Sequence, residues 1–311
     1  GVGLSVVVFF PLISAFIITL IPKAQEQLIK GFALVSSLIT FVLSAVLLFQ
    51  FDFSSADKLQ LGNKISWIKS INANYEIGID GISLPLLVLS TFITVLAIIY
   101  SIEHLPEPKS PKGFLALILV LETGMNGTFV ALDLILFFVF FEIVLLPMYF
   151  MIGIWGDKTV RTVSGFKNQI ETRLYASIKF FVFTLFGSAF MLLGFLGLYY
   201  RGNKTFSIPE LIELGTSGAF TGTFATLVFA VLFLGFAVKV PMWPLHTWLP
   251  DAHTAAPTVG SVLLAAILLK LGSYGFVRIA IPILPEQAKA WAPAIAILSA
   301  IGIIYGSLAC L

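Results

Sequence analysis

The sequence predicts an all-α polytopic membrane protein, and three observations carry that reading. Of 311 residues, 59% are hydrophobic and 11% are charged, less than half the roughly 25% charged residues of an average soluble chain. Mean hydropathy is +1.03. The apolar residues fall in runs about twenty long, the length that crosses a bilayer as a helix. A water-soluble globular enzyme is thereby excluded. Backbone groups in hydrocarbon must be bonded internally, so the runs are helices and not strands. The net charge of +2 leaves no basic footprint for nucleic acid. A single cysteine, Cys310, excludes an internal disulfide framework and any multi-cysteine metal or iron–sulfur site.

Nine spans are expected, at 2–21, 31–51, 80–102, 114–132, 134–154, 175–200, 219–240, 258–281 and 290–311. The chain begins at Gly1 without the charged n-region of a secretory signal and stops at Leu311 in an apolar run, so it reads as a fragment trimmed at both ends. Between spans two and three, Leu59, Leu61, Ile65 and Trp67 precede Tyr75, Ile77 and Ile79, a strand-like texture. Gly62-Asn63 between the pieces suggests the turn of a small surface hairpin. Spans four and five meet at Asp133 with almost no loop, which makes them a tight antiparallel pair. Ser207-Ile-Pro-Glu210 fits a capping box with Pro near a helix start, so a short interfacial helix is expected before span seven.

Orientation follows from Lys and Arg in the loops. After spans one, three and five lie Lys23, Lys30, Lys109, Lys112, Lys158, Arg161, Lys167 and Arg173; the other side carries Lys58, Lys64, Lys69, Arg201, Lys204, Arg278 and Lys289. Lys58, Lys64 and Lys69 sit mid-loop in a long connection, where the positive-inside bias counts for less. The amino terminus is therefore placed outside the cytoplasm.

The informative residues are the ionisable ones inside the spans. Glu142 lies near the middle of span five, Lys270 near the middle of span eight, and Lys239 follows the apolar run 224–238. Each costs about 2.5–3.5 kcal/mol at a helix centre on insertion scales, so three together need pairing or a use. A structural reading makes them static acid–base pairs that fix packing; a functional one makes them a proton relay. Glu122 and Lys179 also fall within spans, and Lys179, four residues past Tyr175, can snorkel to the interface.

Proline placement sharpens the relay reading. Pro147 cannot donate to the carbonyl of Ile143, next to Glu142. Pro241 and Pro244 free the carbonyls of Ala237 and Val240 on either side of Lys239. Span seven should therefore break at Lys239, and broken helices at membrane depth line wet cavities in transporters. His246 and His253 are seven apart in a Pro-rich segment, which is no zinc spacing, and no carboxylate or cysteine set completes a metal site. An imidazole titrating near neutrality suits His246 to a relay, or to a structural hydrogen bond. No phosphate loop, dinucleotide fingerprint, Ser/His/Asp set or haem spacing is present, so the chain is expected to carry out no covalent chemistry and hold no cofactor.

Three stretches are recognisable together: Gly78-Ile-Asp-Gly-Ile-Ser-Leu-Pro85, Phe141-Glu-Ile-Val-Leu-Leu-Pro-Met-Tyr149, and Lys239-Val-Pro-Met-Trp-Pro-Leu-His-Thr-Trp-Leu-Pro-Asp-Ala-His253. The chain resembles the antiporter-like subunits of respiratory complex I, and Glu followed by Leu-Pro-Met-Tyr is most similar to the M, or chain 4, type. The resemblance implies an antiporter-like fold of about fourteen helices, nine of them present, built on two inverted five-helix repeats. Residues 1–113 would hold three spans and the hairpin, 114–281 the first repeat with its proton half-channel, and 282–311 the opening of the second. It further implies that Glu142 pairs with Lys239, that Lys270 passes protons inward, and that His246 joins the connecting axis. Lys179, Glu122 and His253 stay as further relay candidates, Glu122 not being carried over from the family. The loop 157–174 is about ten residues longer than the family pattern.

The implied function is proton translocation in the membrane arm of NADH–quinone oxidoreductase, in a bacterial plasma membrane. Neighbouring antiporter-like subunits and lipid would be the partners, with NADH, FMN, iron–sulfur clusters and quinone held by other subunits. A homologous subunit of a multi-subunit sodium/proton antiporter or membrane-bound hydrogenase is the alternative, because it shares the Glu/Lys/broken-helix/Lys arrangement. A scaffolding subunit with static buried charges is the third reading.

Overall fold

The computed structural model describes residues 2–162 and 169–310. Among them, nine helical stretches are long and apolar enough to cross a membrane. The first three are α1 (Val2–Leu20), α2 (Glu26–Gln50) and α3 (Ser83–Glu103), with the hairpin β1 (Gln60–Ile68) and β2 (Ala73–Ile79) between α2 and α3. The fourth is α4 (Pro111–Val130), and the fifth is split into α5 (Leu134–Ile143) and α6 (Leu145–Trp155). A two-residue pair, β3 (Val160–Arg161) and β4 (Ile170–Glu171), precedes the sixth, α7 (Thr172–Arg201). The short helix α8 (Ile208–Thr216) leads to the seventh, α9 (Gly222–Lys239), and after a break comes α10 (Trp248–Ala255). The eighth span runs from Thr258 to Ile283 through α11 (Thr258–Leu263), α12 (Leu269–Gly275) and α13 (Ile281–Ile283). The ninth is α14 (Pro285–Ala309).

α4 is the centre of the bundle. It packs against α1, α2, α3, α5, α6 and α12, and its membrane window is 83% buried against 0% for α14. Gly127 lets it approach α5, since a Cβ there would sit 2.2 Å from the Phe140 ring. Small residues at such crossings allow close packing where the hydrophobic effect cannot drive association.

The helix breaks fall where proline denies a donor. Span five is interrupted at Val144, three residues before Pro147. The eighth span carries two π-helical stretches, Leu264–Leu268 and Phe276–Ala280, which the apolar run did not foretell. Such insertions recur at functional sites within helices.

Two local expectations are corrected. The hairpin does not turn at Gly62-Asn63; the connection is 69–72, closed by Asn72 at φ 53°. Gly62 lies inside β1, where the register shifts between Gln60 and Asn63 and a Cβ would press on the Ile77 carbonyl at 3.1 Å. The glycine marks a bulge and not a turn. Nor does the capping box form, although α8 is present. Glu210 instead accepts from Thr205 Oγ1 at 2.6 Å and Lys64 Nζ at 2.8 Å, and the Ser207 side chain makes no cap bond. The backbone around Ser207 is engaged elsewhere: Phe206 O accepts from Leu134 N, and Ile208 N donates to Leu132 O. Of the loop 157–174, residues 163–168 lie outside the described residues, as do the chain ends Gly1 and Leu311.

The Asp133 junction is tighter than a simple turn. Asp133 Oδ1 accepts from Ile135 N and Leu136 N at 2.9 and 3.2 Å, capping α5, while Oδ2 accepts from Asn74 N at 2.9 Å. One buried carboxylate thus pins β2 to the start of span five. Burial pushes that carboxyl up from its ordinary value despite the three backbone donors.

Candidate functional site

The site begins where α9 stops. Lys239 is the last residue of α9 and is 3% exposed. Pro241 has no N–H to offer Ala237, but Met242 N donates to Ala237 O at 2.9 Å. The buried indole of Trp248 donates Nε1–H to Val238 O at 3.0 Å. The carbonyls of Ala237 and Val238 at the break are thus satisfied locally.

Lys239 Nζ lies 4.8 Å from the centroid of the Phe141 ring. That ring stacks on Phe137 at 5.6 Å and meets Phe236 edge-on at 6.4 Å. A desolvated cation–π contact of this kind is worth about 2 kcal/mol. Glu142, the next residue along α5, accepts a short hydrogen bond from Ser188 Oγ on α7. The charges of Glu142 and Lys239 act on each other, but no oxygen of Glu142 comes within ion-pair distance of Nζ. The expected pair is therefore an opposed pair with Phe141 at the lysine, and Ser188 is the direct partner of the acid. Glycine brings α7 and α9 together here: a Cβ on Gly235 would lie 2.8 Å from the Gly187 carbonyl.

Lys270 lies apart. Its side chain is exposed in this chain and donates to the carbonyl of Ala265, within the first π-helical stretch. Gly272 is the residue pressed on Lys239, with a Cβ there 3.0 Å from that of the lysine. Two positions along a helix are about 200° apart at 3.6 residues per turn, so Lys270 faces away from Lys239.

Lys179 stands apart from the Glu142–Lys239 site. Its Nζ bonds Asp251 Oδ2 at 2.8 Å, and Arg161 Nη2 bonds Asp251 Oδ1 at 2.7 Å. Both cations lie over the Tyr175 ring, at 5.5 and 4.9 Å from its centroid. Burial pushes the Asp251 carboxyl up, but the hydrogen bonds and charges of Lys179 and Arg161 outweigh it and hold it below its ordinary value. Asp251 sits within the long motif, yet its partners are 72 and 90 positions away, a separation that one sequence does not reveal.

The remaining candidates separate as well. His246 packs edge-on against Tyr305 at 5.1 Å, and its Nδ1 is buried with no partner among the described residues. His253 is half-buried, with burial pulling its imidazole down from its ordinary value, and its carbonyl accepts from Ser261 Oγ at 3.1 Å. Glu122 is wholly buried on α4, with neither carboxyl oxygen bonded among the described residues. No group of three or more His, Cys, Asp or Glu able to hold a metal occurs among the described residues.

The first recognisable stretch has a mechanical role. Asp80 Oδ1 accepts from Ile82 N and Ser83 N at 3.0 and 2.9 Å, at the start of α3. Arg278, from the second π-helical stretch, donates to the same oxygen at 2.7 Å and to Tyr274 Oη at 2.9 Å. Tyr274 in turn donates to the Phe129 carbonyl of α4 at 2.8 Å. The third, fourth and eighth spans are thereby tied at one end.

Residues 131–311 match the family described as NADH:quinone oxidoreductase/Mrp antiporter, TM. Residues 6–128 match the one described as NADH-ubiquinone oxidoreductase chain 4, amino terminus. Over 317 residues the chain is 40% identical to NADH-quinone oxidoreductase subunit M of Rickettsia bellii, covering 99% of this chain and 60% of that one. It is likewise 40% identical over 306 residues to NADH-ubiquinone oxidoreductase chain 4 of Marchantia polymorpha, with 98% and 58% covered. The chain thus spans about 60% of the length of the first of these relatives. Its fold is similar to a chain of respiratory complex I from Thermus thermophilus with bound NADH, at TM-score 0.80 and 26% identity over 97% of this chain and 58% of the other. The Mrp complex of Dietzia shares the fold at TM-score 0.74 and 18% identity, over 91% of this chain and 29% of its own. This membrane chain therefore belongs to the NADH:quinone oxidoreductase/Mrp antiporter family and carries, at its start, the chain 4 type of amino-terminal region.

Proposed function

We propose that the protein to which this chain belongs is a proton-translocating membrane-arm subunit of an NADH–quinone oxidoreductase, with Glu142 and Lys239 as the working pair. The observation that carries the proposal is Lys239 itself: a lysine 3% exposed, at a helix break, with Phe141 against its cation and no carboxylate in ion-pair contact among the described residues. A buried ammonium in that position is held by charge attraction and ring contact. Changing the distance or protonation of Glu142 changes the cost of its charge, so the lysine can give up and regain a proton. Lys270, on the far side of the eighth span, is the next acceptor, and His246 lies along the axis beyond the break.

In this reading residues 114–281 act as one proton half-channel, 1–113 brace it, and 282–311 open a second repeat. Electrons do not pass through the chain; NADH, FMN, iron–sulfur clusters and quinone belong to other subunits, and neighbouring antiporter-like chains are its partners in a bacterial plasma membrane. The names of the relatives favour complex I over a sodium/proton antiporter, although the family description covers both.

The test is Lys239→Met in the full-length protein, purified with its native partners into liposomes. NADH oxidation by a quinone should continue in the assembled complex while lumen acidification is lost. Normal proton yield in an assembled variant would leave Lys239 a packing group and the chain a scaffold.

A further inference from the structure

Apart from the Glu142–Lys239 site, the first four spans enclose a second polar region. Three contacts set four helices level with one another. Ser44 Oγ and Thr91 Oγ1 share a hydrogen bond of 2.7 Å between α2 and α3. Ser90 Oγ donates to Asn126 Oδ1 at 2.8 Å between α3 and α4. Asn126 Nδ2 reaches the Val7 carbonyl of α1 at 3.5 Å. That carbonyl is free because Pro11, four residues on within α1, has no N–H to give it.

One turn below Asn126 on the same face of α4 is Glu122. Neighbouring spans run antiparallel, so the same step leads to Thr94 on α3, Thr40 on α2 and Pro11 on α1. Thr94 and Thr40 are both buried, their hydroxyls donating to Ser90 O and Ser36 O at 2.9 and 3.0 Å. A further turn along α2 brings Ser36 and Ser37, and two turns past Thr94 on α3 lies Ser101, all buried; Ser36 Oγ has no partner among the described residues. Hydroxyls thus run for three turns along the α2 side of the α2–α3–α4 seam, and for two along α3.

Glu122 itself is 0% exposed, and both carboxyl oxygens are unbonded among the described residues. No cation of a neighbouring described element pairs with it. α1 has no titratable side chain. Those of α2 (Glu26, Lys30) and α3 (Tyr100, Glu103) sit near helix ends. Glu142 of α5 is taken by Ser188, Tyr149 of α6 meets Phe181 at a tilt, Lys270 and Tyr274 of α12 bond backbone carbonyls, Tyr75 of β2 shares a hydrogen bond with Ser5, and Glu76 of β2 lies beside Lys64. An ionised carboxylate buried without a partner is costly, whereas the acid form avoids that cost and offers a donor to the seam.

We propose that Glu122 is a second, independent proton-binding site of this chain, reached along the hydroxyl seam between α2, α3 and α4. The exchange is a carboxylic acid giving up and regaining one proton, with Thr94 and Thr40 at its level and Ser36 one turn on as the hydroxyls of the route. It does not depend on Glu142 or Lys239.

Infrared difference spectroscopy between acidic and alkaline buffers, on the full-length protein within its native complex, tests this. The expected result is a carboxylic acid carbonyl band that shifts in heavy water, disappears in Glu122→Gln and survives in Glu142→Gln. In Thr94→Val, which keeps the acid, the same band should move as its neighbouring hydroxyl is lost. A band that persists in Glu122→Gln, no such band in the unmodified protein, or no response to Thr94→Val would overturn the proposal. A band that follows sodium concentration at fixed pH would make this a cation site instead and equally overturn it. Since no step requires pumping or NADH, loss of the proposed function would leave this result intact.

Discussion

Arg278 reaches across 198 positions to donate to Asp80 Oδ1 at 2.7 Å, fastening the eighth span to the start of the third. Both side chains are about one-tenth exposed. Removing one partner of a buried pair costs about 3–5 kcal/mol, because the other charge is left uncompensated. Asp80→Ala should show the full effect, since it also strips the backbone donors of Ile82 and Ser83. Arg278→Met should cost less, because Asp80 keeps those two bonds. Thermal unfolding of the full-length protein in detergent separates the two, and equal losses would refute the asymmetry.

The same clamp should be acid-sensitive. Burial pushes the Asp80 carboxyl up, but the Arg278 charge and the two backbone bonds outweigh it and hold it below the ordinary aspartate value of 3.8. A carboxyl lowered on folding adds stability that is complete above its unfolded value and is lost as pH falls through the folded one. Melting temperature should therefore fall on acidification through that window, and fall less steeply in Asp80→Asn. Parallel acid limbs for the two proteins would show that the clamp does not titrate.

At the opposite kind of site, two cations share one acid. Lys179→Met leaves Arg161 on Asp251 and is expected to cost about 1 kcal/mol or less, in the range of partly exposed pairs. Asp251→Asn leaves Lys179 and Arg161 facing each other over Tyr175 and should cost more than either lysine or arginine removal. A double-mutant cycle between Lys179 and Asp251 should return a coupling of about 0.5–3 kcal/mol, as for residues in direct contact. A coupling near zero would mean that the contact contributes nothing to the fold.

Close helix packing gives a sharper steric forecast. Gly127→Ala would place a Cβ 2.2–2.5 Å from three atoms of the Phe140 ring, in a junction buried on both sides. Overpacking of this kind costs about 1–3 kcal/mol. Gly31→Ala, inside α2, meets nothing within 4 Å and serves as the control, expected to hold or raise stability by up to about 1 kcal/mol through better helix propensity.

Much of this was legible from the chain. Nine spans, the break at Lys239, the interruption near Pro147 and the hairpin all follow from apolar run length and from the donors that proline lacks. Pairings between distant side chains were not legible. Lys179 read as an interfacial lysine because nothing local says that Asp251 lies opposite it, and Asp80 sat in a recognisable motif whose partner, Arg278, is far along the sequence. Ser188 gave no signal at all among the many hydroxyls of the apolar spans. Gly62-Asn63 misled because the dipeptide that favours a turn also tolerates a bulge, and cross-strand register decides between them. Lys270 was identified, but its direction depended on helix rotation, which Gly272 sets by packing on Lys239.

Ser188 leads to the last prediction. Its hydroxyl bonds Glu142 and also lies 2.7 Å from the Thr184 carbonyl of its own helix, so it is poised between the acid and the backbone. A hydrogen bond to a charged group is worth about 1.5–3 kcal/mol, and each 1.36 kcal/mol on a barrier is about tenfold in rate. Under the proposed function, Ser188→Ala should therefore slow proton translocation by about tenfold or more while the complex assembles and the Thr184 backbone bonds persist. Ser188→Thr keeps the hydroxyl and should restore most of the rate. Liposome acidification measured beside NADH oxidation distinguishes this from general damage: a shared fall in both activities, or no rescue by threonine, would make Ser188 a packing residue rather than the group that positions Glu142.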